Sequence, residues 1–153
     1  MSVQDGVRLA KQLLYEEALK ILEPLYQHDS QQFNKWDLYY YSKCLRKTGR
    51  LSESAKINKF LYRRFPQFEP NTNQYAWNLF DLYVKPSQEI KIDEELMMKV
   101  ASFITENTRQ DMYSPYERTV FTVLKYIKSK ANPSYHQMMY WLDKAASESW
   151  NKS

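Results

Sequence analysis

Apolar residues recur at helical spacing along almost the whole chain. Tyr15, Ala18, Leu22, Leu25 and Tyr26 share one face, because residues three, four and seven apart lie together on a 3.6-residue helix. The same spacing links Trp36, Tyr39, Tyr40, Cys44 and Leu45, then Leu51, Ala55, Leu61, Tyr62 and Phe65, then Tyr75, Leu79, Leu82 and Tyr83. It continues through Leu96, Val100, Phe103 and Ile104, through Val120, Val123, Leu124 and Ile127, and through Met138, Trp141, Leu142 and Ala145. Punctuation falls between these faces: Gly49, the pair Pro66 and Pro70, and Pro86. The pattern predicts eight helices, at 3–12, 15–28, 34–48, 51–65, 72–84, 93–109, 115–130 and 134–149. Pro24 lies inside the second and is expected to kink it or end it early. Ser114-Pro115-Tyr116-Glu117 reads as a capping box with serine at N-cap, and Ser134 with Gln137 as a second. Asn71 to Gln74 and Asp93 to Glu95 read as weaker starts. Helices of this length joined by short turns pair antiparallel, so the fold class is all-α.

An internal period accompanies the pattern. Tyr15-Glu16-Glu17-Ala18 aligns with Leu51-Ser52-Glu53-Ser54, and Leu25-Tyr26 with Leu61-Tyr62, all at an offset of 36 residues. Across 35–68, Leu38 occupies a large apolar position and Ser42 a small one. Gly49 then falls in a turn, Ser54 at a second small position, and Leu61 and Pro66 close the segment. This arrangement resembles the tetratricopeptide repeat. YEEALKIL (15–22) matches the second helix of a preceding repeat, and Trp77 opens a following one. Ser54 stands where that family usually has alanine, and Asn58 where it usually has a large aromatic residue. The resemblance implies a right-handed α-α superhelix of about four helix pairs in a single domain over 1–153. Its repeats would be regular over 3–84 and divergent over 93–149. QYAWNL (74–79), SPYERTVF (114–121) and WLDK (141–144) are also similar to segments of tetratricopeptide proteins from bacterial anti-phage and conflict loci. That similarity implies an antiviral defence setting in which such regions adjoin nucleic-acid-handling domains.

Composition removes most alternatives. There are 2 glycines in 153 residues, where average usage near 7% gives about eleven. Hairpins, bulges and phosphate-cradling loops lean on glycine, so all-β, dinucleotide and P-loop folds are disfavoured. One cysteine, Cys44, cannot form an intrachain disulfide. The N-terminal segment carries no apolar signal region and no stretch approaches a membrane span, so the expected home is cytoplasmic, away from any membrane. His28 and His136 are far apart in sequence, and no metal-binding or nucleophile motif occurs. His28 ends a helix, where a cation meets the negative end of the dipole. Glu16-Glu17 and Asp93 to Glu95 read as first-turn acids favoured by the same dipole. The expectation is a non-enzymatic protein with no cofactor, metal or catalytic residue.

Charge supplies the remaining signal. Lys43, Arg46, Lys47, Arg50, Lys56, Lys59, Arg63 and Arg64 face a single acid, Glu53, so 43–64 carries +7 while the rest sums to −3. In a tetratricopeptide stack, Tyr39, Lys43, Arg46 and Lys47 would line a concave groove together with Tyr75 and Asn78. That set suits a protein or peptide of acidic character. Lys56, Lys59, Arg63 and Arg64 belong to the other helix of the pair and would form a separate patch. Nucleic-acid phosphates are the alternative ligand there. A solvated basic face is sufficient for both sets, and Arg63 and Arg64 also complement a helix end. Of Tyr39-Tyr40-Tyr41, at least one must be buried, since three consecutive helical residues span too wide an arc for one face. The last helix, 134–149, is apolar with Trp150 just beyond it, which suggests self-association through that end or a larger parent protein.

Overall fold

The computed structural model describes residues 1–88 and 93–146, and every regular element among them is helical. The eight helices are α1 (Val3–Lys11), α2 (Tyr15–His28), α3 (Lys35–Lys47), α4 (Leu51–Arg64), α5 (Glu69–Leu79), α6 (Glu94–Asn107), α7 (Tyr116–Lys128) and α8 (Tyr135–Ala146). A 3-10 turn, Ser30–Gln32, separates α2 from α3. A wide π turn, Phe80–Val84, and a 3-10 turn, Lys85–Gln88, follow α5. Each expected helix is present to within a few residues. The last three residues of the predicted 134–149 segment and Trp150 lie outside the described residues. No described helix is long and apolar enough to cross a membrane.

The chain forms two compact units, Met1–Asn78 and Leu79–Ser153. In the first, Val7, Ala10, Ala18, Leu22, Leu38, Tyr41, Cys44, Leu45 and Leu61 make the buried core of α1 to α4. Tyr41 is the buried member of the tyrosine run, 4.8 Å between ring centroids from Tyr26, while Tyr39 and Tyr40 are half-buried. In the second unit Met97, Ala101 and Ile104 of α6 are buried, as are Val120, Val123 and Ile127 of α7 and Trp141 of α8. Lys130 pairs with Glu94 at 2.7 Å, and the Tyr126 hydroxyl donates to the same carboxylate, tying the start of α6 to the end of α7.

The 36-residue offset is built into the backbone of the first unit. α3 ends with Gly49 at φ +87°: its N–H donates to the Arg46 carbonyl and that of Arg50 to the Leu45 carbonyl. α1 ends in the same way one period earlier, with Leu13 at φ +67°, its N–H on the Ala10 carbonyl and that of Leu14 on the Leu9 carbonyl. Both are left-handed helix stops of the kind glycine favours. Leu14 and Arg50 then each accept the first bond of the next helix, from Ala18 and Ser54. The small position of the first helix also repeats. It is Gly6 in α1, where an added Cβ would lie 2.5 Å from Leu22, and Ser42 in α3, which meets Asn58.

Three local expectations are corrected. Pro24 does not end α2 early: the helix keeps its expected bounds, Tyr15–His28, and Pro24 sits at an exposed position where the carbonyl freed of its partner can reach water. α7 starts one residue later than a capping box at Ser114 requires, with Pro115 at its N-cap. The Ser114 hydroxyl instead donates to the Arg109 carbonyl and accepts from the Tyr116 N–H. α5 begins at Glu69, so Asn71 and Gln74 are interior residues, both buried. Ser134 does cap α8, accepting the Gln137 N–H at 3.3 Å, and Asp93 caps α6. Two reciprocal capping boxes escaped the sequence reading, Ser2 with Asp5 and Asn34 with Asp37.

Candidate functional site

The six residues expected to line a groove are not equivalent. Lys47 is exposed, and Lys43, Tyr39 and Tyr75 are half-buried. Tyr39 packs edge-on against Trp36 and Phe68, and burial pushes its hydroxyl above the ordinary value. The Tyr75 ring lies 6.0 Å from that of Tyr62. Asn78 is 0% exposed, and the Arg46 guanidinium donates to its carbonyl oxygen at 2.8 Å. The placement of Asn78 in a groove is therefore corrected: its amide is committed inside the protein and cannot hold a ligand backbone.

Asn78 belongs to a buried polar network that joins α3, α4 and α5. Its amide nitrogen donates to the Ser54 hydroxyl (2.8 Å) and the Asn58 carbonyl oxygen (2.7 Å). The Asn58 amide nitrogen donates to the Ser42 hydroxyl (3.2 Å) and to Asn71 (2.8 Å), whose own amide donates to the Asn58 backbone carbonyl (3.0 Å). The Ser42 hydroxyl donates to the Tyr39 carbonyl and also accepts from Gln74. The Ser54 hydroxyl donates to the Ser42 carbonyl at 2.7 Å. Both amide hydrogens of Asn58 and of Asn78 are thus used, and Ser42 reaches its full donor and acceptor capacity. A satisfied network of this kind fixes the register of three helices, since a slip would strand several polar groups at once. The departures from the tetratricopeptide pattern at Ser54 and Asn58 are members of it.

The other basic set lies differently. Lys56, Lys59, Arg63 and Arg64 are all exposed, and Phe60 among them is 48% exposed. Spacings of three and four residues place all five on one face of α4, opposite the buried Ser54, Ile57, Asn58 and Leu61. The acid in this helix, Glu53, is held by Arg50 at 2.7 Å, and Arg50 also pairs with Glu23. Those bonds hold the Glu53 carboxyl below its usual range. None of the four cations of the row makes an ion pair with another described residue. They line a hollow of about 410 Å³ with Phe60.

A second hollow, of about 650 Å³, adjoins it through Phe60 and Arg64. It lies between the C-terminal ends of α2 and α4, floored by the 3-10 turn and the start of α3. Tyr26, Phe33, Leu38, Phe60 and Phe65 supply apolar walls, and Lys35 and Arg64 stand beside them. The Lys35 ammonium lies 5.0 Å from the Phe68 ring and 5.5 Å from that of Phe65, and the Arg64 guanidinium 5.3 Å from that of Phe60. These distances allow cation–π attraction, which holds the charged groups over ring faces. Sequence reasoning found the cations and missed the hollow. The available signal was an aromatic residue, Phe60, inside a polar helix face, followed by Phe65 and Phe68 close to Lys35 in the fold.

Other candidate chemistry is placed as follows. Cys44 is 0% exposed, and burial pushes its thiol up to about 12, so it stays protonated at neutral pH and is no nucleophile. His28 and His136 are exposed, in the last turn of α2 and the first turn of α8. No family model, curated protein or solved structure matches this chain.

Proposed function

We propose that this chain is a non-catalytic interaction module of tetratricopeptide type, and that the exposed face of α4 binds an acidic polypeptide segment. The observation that carries the reading is the row Lys56, Lys59, Arg63 and Arg64, four exposed cations on one helix face without an ion-pair partner among the described residues. Polar helix faces usually mix signs; a single-sign row raises the local concentration of an oppositely charged partner. The repeat-type assignment draws support from paired features 36 residues apart: the left-handed stops at Leu13 and Gly49, and the close contacts at Gly6 and Ser42. The set Tyr39, Lys43, Lys47 and Tyr75 is a weaker candidate, because Asn78, expected beside it, is buried and accepts from Arg46.

Nucleic acid is the second reading, favoured by Phe60 within the row, since bases stack on exposed aromatic rings beside phosphate-binding cations. One titration separates the two. Fluorescent oligoglutamate and single-stranded DNA are titrated at two salt concentrations against the parent protein and the Lys56→Ala/Lys59→Ala/Arg63→Ala/Arg64→Ala variant. The proposal expects salt-sensitive oligoglutamate binding that the variant loses and that Lys43→Glu/Lys47→Glu largely keeps. Equal affinity in parent and quadruple variant would remove α4 as the site. DNA binding whose salt slope falls by about 0.7 per removed cation would favour the second reading.

A further inference from the structure

We infer that the 650 Å³ hollow between α2, α3 and α4 accepts one large apolar side chain of the bound segment, so that the ligand is an acidic stretch with a single aromatic or leucine anchor. This inference rests on the acidic-segment reading above. At about 650 Å³ the hollow falls within the roughly 300–1,000 Å³ range of pockets for drug-sized ligands, so one large side chain is well within its capacity. Tyr26, Phe33 and Leu38 wall it with apolar surface. Asn34 has its side-chain oxygen committed to the Asp37 N–H, at 2.8 Å.

Charge decides what flanks the anchor. Lys35 and Arg64 stand at the hollow, and Lys56, Lys59 and Arg63 line the adjoining one. The acids nearest the hollow in sequence are already used: Asp29 accepts the Gln31 N–H at 3.1 Å, and the buried Asp37 accepts the Asn34 N–H at 3.0 Å. Carboxylates on either side of an anchor would therefore meet cations that no described carboxylate pairs. From Lys56 to Arg63 the helix rises about 10 Å, at ~1.5 Å per residue. That distance spans about three residues of extended chain. The segment that fits is an apolar residue with three or four acidic residues beside it.

The test uses fluorescein-labelled peptides on the full chain: a phenylalanine among glutamates, the same peptide with alanine for phenylalanine, and phenylalanine among lysines. An oligothymidylate is the fourth probe. Burying a phenylalanine side chain is worth roughly 1.5–3 kcal/mol, so the alanine peptide should bind about 10- to 100-fold more weakly. In Phe60→Ala that ratio should shrink by about tenfold, while residual binding keeps its salt dependence. Gln31→Trp, which adds bulk from an exposed position at the hollow, should shrink the ratio in the same way. If phenylalanine and alanine peptides bind equally and with salt dependence, the anchor is refuted and the acidic-segment reading stands. If neither acidic peptide binds at low salt, that reading falls and takes the anchor with it. Tighter binding of oligothymidylate than of either acidic peptide overturns both.

Discussion

Replacing Asn58 by leucine, the residue found one period earlier at position 22, tests the buried network most severely. The substitution keeps the branching and heavy-atom count of the side chain and adds apolar bulk, so a view based on burial alone expects stabilisation. The structure expects the opposite. Asn58→Leu removes the acceptor of one Asn78 amide hydrogen and the donor to Asn71, leaving two buried groups short of a partner, while Ser42 keeps its bonds to Tyr39 and Gln74. Each stranded group costs about 1–3 kcal/mol. Rearrangement recovers part of that, so a net loss of roughly 2–5 kcal/mol is expected. Domains of this size are stable by only about 5–15 kcal/mol, so the variant should be close to unfolding. Urea denaturation followed by far-ultraviolet circular dichroism reads the change as a lower midpoint. Asn58→Ala and Ser42→Ala, alone and together, then give a coupling of about 0.5–3 kcal/mol for residues in one network. A leucine variant within about 1 kcal/mol of the parent would refute the claim that these bonds hold α5 against α3 and α4.

Two further predictions concern single positions. Leu13 is 65% exposed and occupies a left-handed conformation that costs a side-chain-bearing residue about 1–2 kcal/mol, so Leu13→Gly should raise the melting temperature by about 2–4 °C. Gly49→Ala, at the matching position, should lower it, and calorimetry that finds the opposite pair of signs would contradict the shared helix stop. The Cys44 thiol, raised to about 12 by burial, stays protonated in the folded chain while the unfolded thiol ionises above about pH 9. Its contribution to stability is therefore complete below pH 9 and lost as pH rises from 9 toward 12, with a slope of up to about 1.4 kcal/mol per pH unit. Urea midpoints at pH 8 and 10 should fall less in Cys44→Ala than in the parent; an equal fall would show that the thiol is not linked to folding.

Helix positions were legible because they depend on the spacing of apolar residues, which survives in single residues such as Leu22, Leu61 and Ile104. The network was not legible for the same reason. Asn58 and Asn78 are polar, and a reading that treats polar as exposed sends Asn78 to a ligand groove, although both occupy core registers of their helices. The 36-residue period held the missing information: Asn58 aligns with the buried Leu22, and Asn78 with the buried Ser42 and Gly6. The basic row was legible as charge, while the hollow beside it was not, because Tyr26, Phe33, Lys35 and Arg64 converge only when α2, α3 and α4 fold together. The error at Ser114 has a local cause. Serine before proline matches a capping box by type, yet the hydroxyl is taken by the Arg109 carbonyl in the preceding turn.

The proposed site for the acidic segment is the exposed face of α4. Amide nuclear magnetic resonance of the 18.5 kDa chain during titration with the phenylalanine–glutamate peptide tests it directly. Binding there should concentrate the shifts in 30–38 and 56–65 and leave the backbone around Asn71 to Asn78 unmoved. Shifts centred instead on Tyr39, Lys43, Lys47 and Tyr75, or none at saturating peptide, would contradict it.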